Sequence, residues 1–249
     1  MLPQTTAAAP RRHPWLRPLL LAALLALLPL TLAACNSEAG NRPLGCSSAA
    51  APCLQGTAVV ELETSKGTVQ LTLDGSNAPL TAGNFVDLVR RGTYNGTAFH
   101  RVVRDPKPFV VQGGDPTSAD PKVPASTYGL GNFVDPATGE ARLIPLELKL
   151  TRPQELRYGT EITAAAKARD LALTHQRGAV AMARSSNPNS ASAQFYVALE
   201  ALPELDGRYA VFGRVSRGME VIDRIEQGDR LVRARVVQGG TLVKEQPQG

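Results

Sequence analysis

The stretch FHRVVRDPKPFVVQGGDPT, Phe99–Thr117, decides the fold. Two β-rich runs, Ala98–Val103 and Phe109–Gln112, flank Asp105-Pro106-Lys107-Pro108, a segment of turn formers. The second run ends at Gly113-Gly114-Asp115. Paired glycines after a strand mark a backbone position that tolerates no Cβ, or another chain passing close by. His100, Arg101 and Gln112 sit among apolar neighbours. Such polar groups must be hydrogen-bonded or must face a site.

Upstream, Tyr94–Thr97 is a turn into this stretch. Before it, Phe85, Leu88 and Val89 fall at i, i+3, i+4, and Gly92 stands where a C-cap glycine belongs, so the spacing predicts a helix over Leu80–Arg91. Thr57–Asp74 reads as a hairpin: Val60 and Leu62, then Val69, Leu71 and Leu73, alternate with polar residues around a turn at Ser65-Lys66-Gly67.

Downstream, the chain is irregular to about Glu140, and Leu143–Leu148 reads as extended. Thr151–Arg177 is read as an inserted excursion, helical over the Ala-rich Glu161–Leu173. Gly178–Ala183 and Gln194–Leu199 are expected strands, separated by the polar loop Arg184–Ser192. A strand at Tyr209–Val215, a short helix at Gly218–Gln227 and a strand at Leu231–Gly239 follow. About eight short strands and two helices predict an all-β barrel or sandwich with capping helices.

Residues 1–34 resemble a secretory leader, with Arg11, Arg12 and Arg17 ahead of the apolar run Leu19–Leu32 and a small-residue cleavage site. The run is short for a transmembrane helix of about 20 residues. Cys35 follows Leu32-Ala33-Ala34 directly, which resembles the lipobox of bacterial lipoproteins and marks Cys35 as the lipidation site. Residues 35–56 then read as a tether, poor in hydrophobic periodicity, spanning roughly 25 Å root-mean-square. Residues 57–249 form the expected domain, with an insertion near 151–175. The expected location is the cell envelope, on the extracytoplasmic side and held to a membrane through Cys35. In an oxidising compartment Cys46 and Cys53 are candidates for a small disulfide loop, though nothing in the sequence requires it.

The formal charge is +5. Three of those charges are leader arginines, so the remainder carries +2, and no basic stripe interleaved with aromatics points to nucleic acid. With three histidines and no Cys-x-x-Cys pair, a structural zinc site is not expected.

Together, four ordered blocks resemble the cyclophilin family of peptidyl-prolyl isomerases. They are Phe99-His100-Arg101 with Phe109 and Val111-Gln112-Gly113-Gly114-Asp115; Ala181-Met182-Ala183; Asn187-Pro188-Asn189-Ser190 leading to Gln194-Phe195-Tyr196; and Leu205-Asp206-Gly207 with Val211-Phe212-Gly213. The resemblance implies a closed eight-stranded antiparallel barrel capped by two short helices. It also implies cis–trans isomerisation of X-Pro bonds in polypeptide clients, without metal or cofactor, by a monomer. Rotation about an amide costs roughly 18–20 kcal/mol because conjugation is broken. No bond is made or cut, so the enzyme need only bind the twisted amide better than the planar one.

The resemblance assigns the catalytic role to Arg101, whose guanidinium can donate to the amide nitrogen only once that nitrogen becomes pyramidal. The bland alternative is a strand Arg paired with a carboxylate such as Asp115. Phe109, Val110, Tyr196 and Leu205 are expected to line an apolar slot for the proline ring. Gln112 is expected to bond the substrate backbone and orient Arg101, and Ala183 to offer backbone groups to the residue before proline. His100, Gln194 and Tyr209 complete the expected binding set. Four positions depart from common family residues. Val110 stands where many members carry Met, and Tyr196 where Phe is usual, which adds a hydroxyl that needs a partner. Glu204 stands where some members have a Trp that contacts cyclosporin, and Tyr209 where some have His; weak cyclosporin binding follows. Two other functions stand beside isomerisation. A binding module or holdase for Pro-containing segments differs in turnover, and a hydrolase is disfavoured by the missing G-x-S-x-G elbow.

Overall fold

The computed structural model describes Cys46, residues 51–164 and residues 168–243. The leader, Cys35, most of the expected tether and part of the expected helix over Glu161–Leu173 lie outside the described residues.

The hairpin forms as the alternation dictates. Strand β2 (Thr57–Thr64) pairs with β3 (Gly67–Asp74) in full antiparallel register. Val60, Leu62, Val69, Leu71 and Leu73 face the core, each fully buried. Helix α1 (Pro79–Arg90) starts at a proline, whose missing N–H costs nothing at a helix start. Its next two donors are satisfied from far away in sequence: Leu80 and Thr81 N–H donate to the carboxylate of buried Glu147, at 3.0 and 2.8 Å. Gly92 closes the helix at φ +72°, the left-handed cap that only glycine adopts freely.

The other strands are β1 (Cys53–Leu54), β4 (Thr97–Ala98), β5 (Arg101–Val102), β6 (Val110–Gly113), β7 (Glu147–Thr151) and β8 (Gln154–Tyr158). Then come β9 (Ala179–Met182), β10 (Phe195–Ala198), β11 (Val211–Arg217), helix α2 (Met219–Arg224), β12 (Arg230–Gly239) and β13 (Leu242–Val243). Nine of the strands form one antiparallel sheet in the order β4-β12-β2-β3-β11-β9-β10-β6-β5. This corrects the expected closed eight-stranded barrel to a curled, open sheet of nine strands with, among the described residues, the α-helices α1 and α2. The cause is local. One run, Ala98–Val103, was expected to be a single strand. It is broken at Phe99-His100 into two short strands, which pair at opposite edges of the sheet: β4 with β12 and β5 with β6.

The start of the expected excursion holds structure that the sequence reading left unassigned. Residues 147–158 are the hairpin β7–β8, which forms its own two-stranded sheet. Leu148 and Leu150 on β7 pack with Leu146, Ile162, Leu171 and Ala210 in a separate small core. Composition also misplaced the start of the packed domain. Ala51 and Leu54, assigned to the tether, are buried, and β1 pairs with β13. Cys46 and Cys53 are joined as a disulfide, which ties the described Cys46 to β1.

Strand alternation then creates two faces. Val111, Val180, Met182, Phe195 and Val197 point into the main core with Phe85, Tyr94 and Phe212. Their neighbours Val110, Ala179, Ala181, Tyr196 and Ala198 point the other way and form a second cluster with Leu202 and Val211. Phe109, Ala183, Leu205 and Tyr209 pack on that outer cluster and are only half-buried. An apolar patch on the outer face of a sheet, open to solvent, is a binding-site candidate rather than a core.

Candidate active site

The outer patch is a slot of about 250 Å³ lined by Arg101, Phe109, Val110, Gln112, Ala183, Arg184, Tyr196, Leu205 and Tyr209. Register explains why they meet. Arg101 on β5 is opposite Gln112 on β6, Gln112 is opposite Tyr196 on β10, and Tyr196 is opposite Ala181 on β9. Since Val110 stands two residues before Gln112, it shares the same face. Phe109 enters at the end of β6, and the turn at Pro203–Leu205 brings Leu205 and then Tyr209 over the far wall.

Eight of the sequence-derived site residues therefore line one cavity. Gln194 and His100 do not. Gln194 stands behind Gln112 and lines an adjoining groove of about 320 Å³ with Gly129, Leu130, Asn132, Leu143 and Ser192. Slot and groove share Gln112, Ala183 and Arg184, so they form one continuous trough. Behind this strip, the His100 ring lies beside Gly129. Burial holds its pKa below the usual histidine value.

A directional chain of amides orders the polar edge. Gln194 Nε2 donates to the carbonyls of Gly129 and Gly131, at 2.9 Å each. Its Oε1 is thereby left to accept from Gln112 Nε2 at 3.2 Å. Gln112 in turn presents Oε1 to Arg101 Nη1 at 3.4 Å. Each link fixes the orientation of the next amide. Arg101 is exposed, lies 5.7 Å over the Phe109 ring, and has no ion pair among the described residues. Asp115 is not its partner. That carboxylate is fully buried and accepts from Thr117 N–H and Oγ1, Gly129 N–H and Gly131 N–H. Burial alone raises its pKa, but those donors together hold it below the ordinary value. The paired glycines meet the expectation of close approach. A Cβ on Gly114, at φ +82°, would sit 2.9 Å from Phe195 and 3.0 Å from Tyr94.

Three residues near the slot were not assigned roles from sequence. Arg184 lines it, with its guanidinium 4.8 Å from the Tyr209 ring centroid and hydrogen-bonded to Arg208 O and Glu161. Below the floor, His175 and Asp206 hold the Tyr196 hydroxyl: Tyr196 Oη is 2.9 Å from His175 Nε2, and His175 Nδ1 is 2.7 Å from Asp206 Oδ1. The only sequence signal was the tyrosine itself, which demanded a partner without naming it.

Similarity to known proteins agrees with this geometry. A family profile described as cyclophilin type peptidyl-prolyl cis-trans isomerase/CLD matches residues 59–246. A protein of Synechocystis sp. named as a thylakoid lumen peptidyl-prolyl cis-trans isomerase is 38% identical over 76% of this chain, which spans 49% of that protein. The human peptidyl-prolyl cis-trans isomerase-like 1 is 34% identical over 76% of this chain and 92% of its own length. Among solved structures, a Cryptosporidium parvum cyclophilin type peptidyl-prolyl cis-trans isomerase, crystallised in the presence of the dipeptide Ala-Pro, superposes with a TM-score of 0.53. It is 23% identical, over 73% of this chain and 99% of that one, and supports the fold.

Proposed function

The chain belongs to the cyclophilin-type peptidyl-prolyl cis-trans isomerase family, and we propose that it accelerates rotation about X-Pro bonds in exported polypeptides, with Arg101 as the catalytic residue. The observation that carries this reading is an exposed guanidinium, unpaired to any carboxylate among the described residues, held over Phe109 at the lip of an apolar slot.

Each part of the trough has a chemical task. The proline ring enters the slot between Phe109, Val110, Leu205 and Tyr209, on the Tyr196 floor. Residues before proline lie along the groove past Ala183, whose own N–H already donates to Gln194 O and so leaves its carbonyl to the substrate. In the planar amide the nitrogen lone pair is delocalised and accepts nothing. As the bond twists it becomes a base, and Arg101 donates to it. That bond exists only in the transition state, so it raises the rate without tightening the ground state. Gln112, locked through Gln194, keeps the guanidinium from swinging into solvent.

The leader and the lipobox-like Leu32-Ala33-Ala34-Cys35 support export and anchoring through Cys35, and the relative named for the thylakoid lumen supports a location outside the cytoplasm. A Pro-peptide isomerisation assay tests the reading. The chain should accelerate exchange, and Arg101→Ala should lose most of the acceleration; a chain that binds Pro-peptides without turnover is instead a holdase.

A further inference from the structure

The floor of the slot is not self-supporting. Tyr196 is 4% exposed, its ring plane is stacked on His175 at 13° and 5.9 Å, and it meets Tyr209 edge-on at 82°. Its hydroxyl points away from the slot into a buried polar pair. His175 is 1% exposed and comes from the segment that follows β8, outside the sheet that forms the slot. Asp206 Oδ1 accepts from both the His175 backbone N–H, at 2.8 Å, and Nδ1–H. That assignment leaves Nε2 with a lone pair, and the lone pair accepts the tyrosine O–H. One tautomer, one rotamer and one hydroxyl direction satisfy all three groups.

We infer that His175 and Asp206 are positioning residues for the isomerase reaction, fixing Tyr196 as a rigid apolar floor by keeping its hydroxyl turned away from the bound proline. This deepens the isomerase reading and rests on it. Without an acceptor below, the buried hydroxyl must find another partner, and the open direction is the slot itself. A polar floor then meets the proline ring, and a mobile ring no longer fixes the axis about which the amide twists. The insertion thus acts on the slot through a hydrogen bond, although none of its described residues lines the cavity. Glu161, from the same segment, bonds Arg184 on the opposite wall.

The relay works only with neutral His175, because an imidazolium would donate at Nε2 and displace the tyrosine proton. Burial holds the His175 pKa below its usual value against the raising effect of Asp206 and Glu204, so the relay is intact at neutral pH. Besides Asp206, Glu204 from the 203–206 turn acts on His175, and Arg184 and Tyr209 act on Tyr196 across the slot. His100 is the other histidine near the trough.

The test is a protease-free Pro-peptide isomerisation assay on the full chain, run from neutral to acid pH. For the wild type, kcat/KM should fall about tenfold below the His175 titration, the size expected of one orphaned buried hydroxyl. In Tyr196→Phe, which has no hydroxyl to orient, that acid limb should vanish even though His100 still titrates. At neutral pH His175→Leu should lower kcat/KM by about tenfold. His175→Gln, which keeps an acceptor near the Nε2 position, should recover most of it. The His175→Leu penalty should shrink to under about twofold in the Tyr196→Phe background, since the coupled partner is gone. An acid limb retained in Tyr196→Phe, its absence from the wild type, or additive penalties would overturn the inference. If His175→Leu does not fold, the two pH profiles decide. Arg101→Ala run in parallel separates the levels: equal activity there refutes the isomerase mechanism, whereas its loss with unchanged pH profiles refutes only the relay.

Discussion

Asp115→Asn tests how the buried carboxylate behind the slot organises the polar edge. In the native protein Asp115 Oδ2 accepts from Gly129 N–H at 2.6 Å and Gly131 N–H at 3.1 Å, while Oδ1 serves Thr117 twice, at 2.9 and 2.8 Å. An Asn of the same shape keeps one oxygen. With the NH2 turned toward Thr117, that residue's N–H loses its acceptor while its hydroxyl turns to accept; with the NH2 turned toward the glycines, both of their N–H groups lose theirs. Hydrogen bonds to charged groups contribute roughly 1.5–3 kcal/mol each, so the better-placed Asn, which leaves one N–H without an acceptor, costs about 1.5–3 kcal/mol of stability at neutral pH. The sign with pH follows from the depressed native pKa. The carboxylate's contribution is present above its unfolded value, near 3.8, and is lost as pH falls through the lower native value. Urea unfolding of both proteins at pH 7 should show a lower midpoint for Asp115→Asn with an unchanged slope. The gap should close as the pH approaches the native titration. Activity should fall too, because the carbonyls of Gly129 and Gly131 hold Gln194, which holds Gln112 and through it Arg101. A loss below 1 kcal/mol, or a gap that persists unchanged in acid, would refute the reasoning.

Three further outcomes are expected. Glu147→Ala should cost about 2–4 kcal/mol in a urea melt, since Leu80 and Thr81 N–H at the start of α1 lose the carboxylate that accepts from them. Replacing Cys46 and Cys53 by serine should cost about 2 kcal/mol, the loop entropy of a bridge with a sequence separation of 7. Turnover should not change, and a changed kcat/KM would contradict the placement of the bridge away from the slot. Cyclosporin should bind weakly, because Glu204 is an exposed carboxylate within 4.0 Å of Lys107 where an aromatic contact would be needed; sub-micromolar inhibition refutes this.

How much could be read in advance depends on how local each signal is. The β2–β3 hairpin and α1 with its Gly92 cap follow from period-2 or period-3.6 patterns within a few residues of each other, whereas the row Arg101, Gln112 and Tyr196 was legible only through the resemblance of the blocks that carry it. Sheet closure depended on Phe99-His100, where two residues leave the ladder; no propensity distinguishes a strand from a strand with that break. The β7–β8 hairpin was hidden because its second strand, QELRY, is polar and is followed by an Ala-rich run that reads as helix. What was illegible at the site is long-range pairing. Arg184 with Glu161, and His175 with Tyr196 and Asp206, join segments 21 to 31 residues apart, and Glu147 caps a helix 66 residues away. Such partners satisfy buried polar groups that a sequence shows only as groups in need of one.

The central claim is that an unpaired guanidinium stabilises a twisted amide. Its most direct test is the exchange rate of a Pro-peptide with wild type and with Arg101→Ala, on a chain that retains Cys46 so that β1 stays tied. Loss of one charge-assisted bond made only in the transition state, about 2–3 kcal/mol, predicts a kcat/KM lower by roughly 30- to 150-fold with KM little changed. Equal rates for the two proteins, or no rate above the uncatalysed exchange for either, would contradict it.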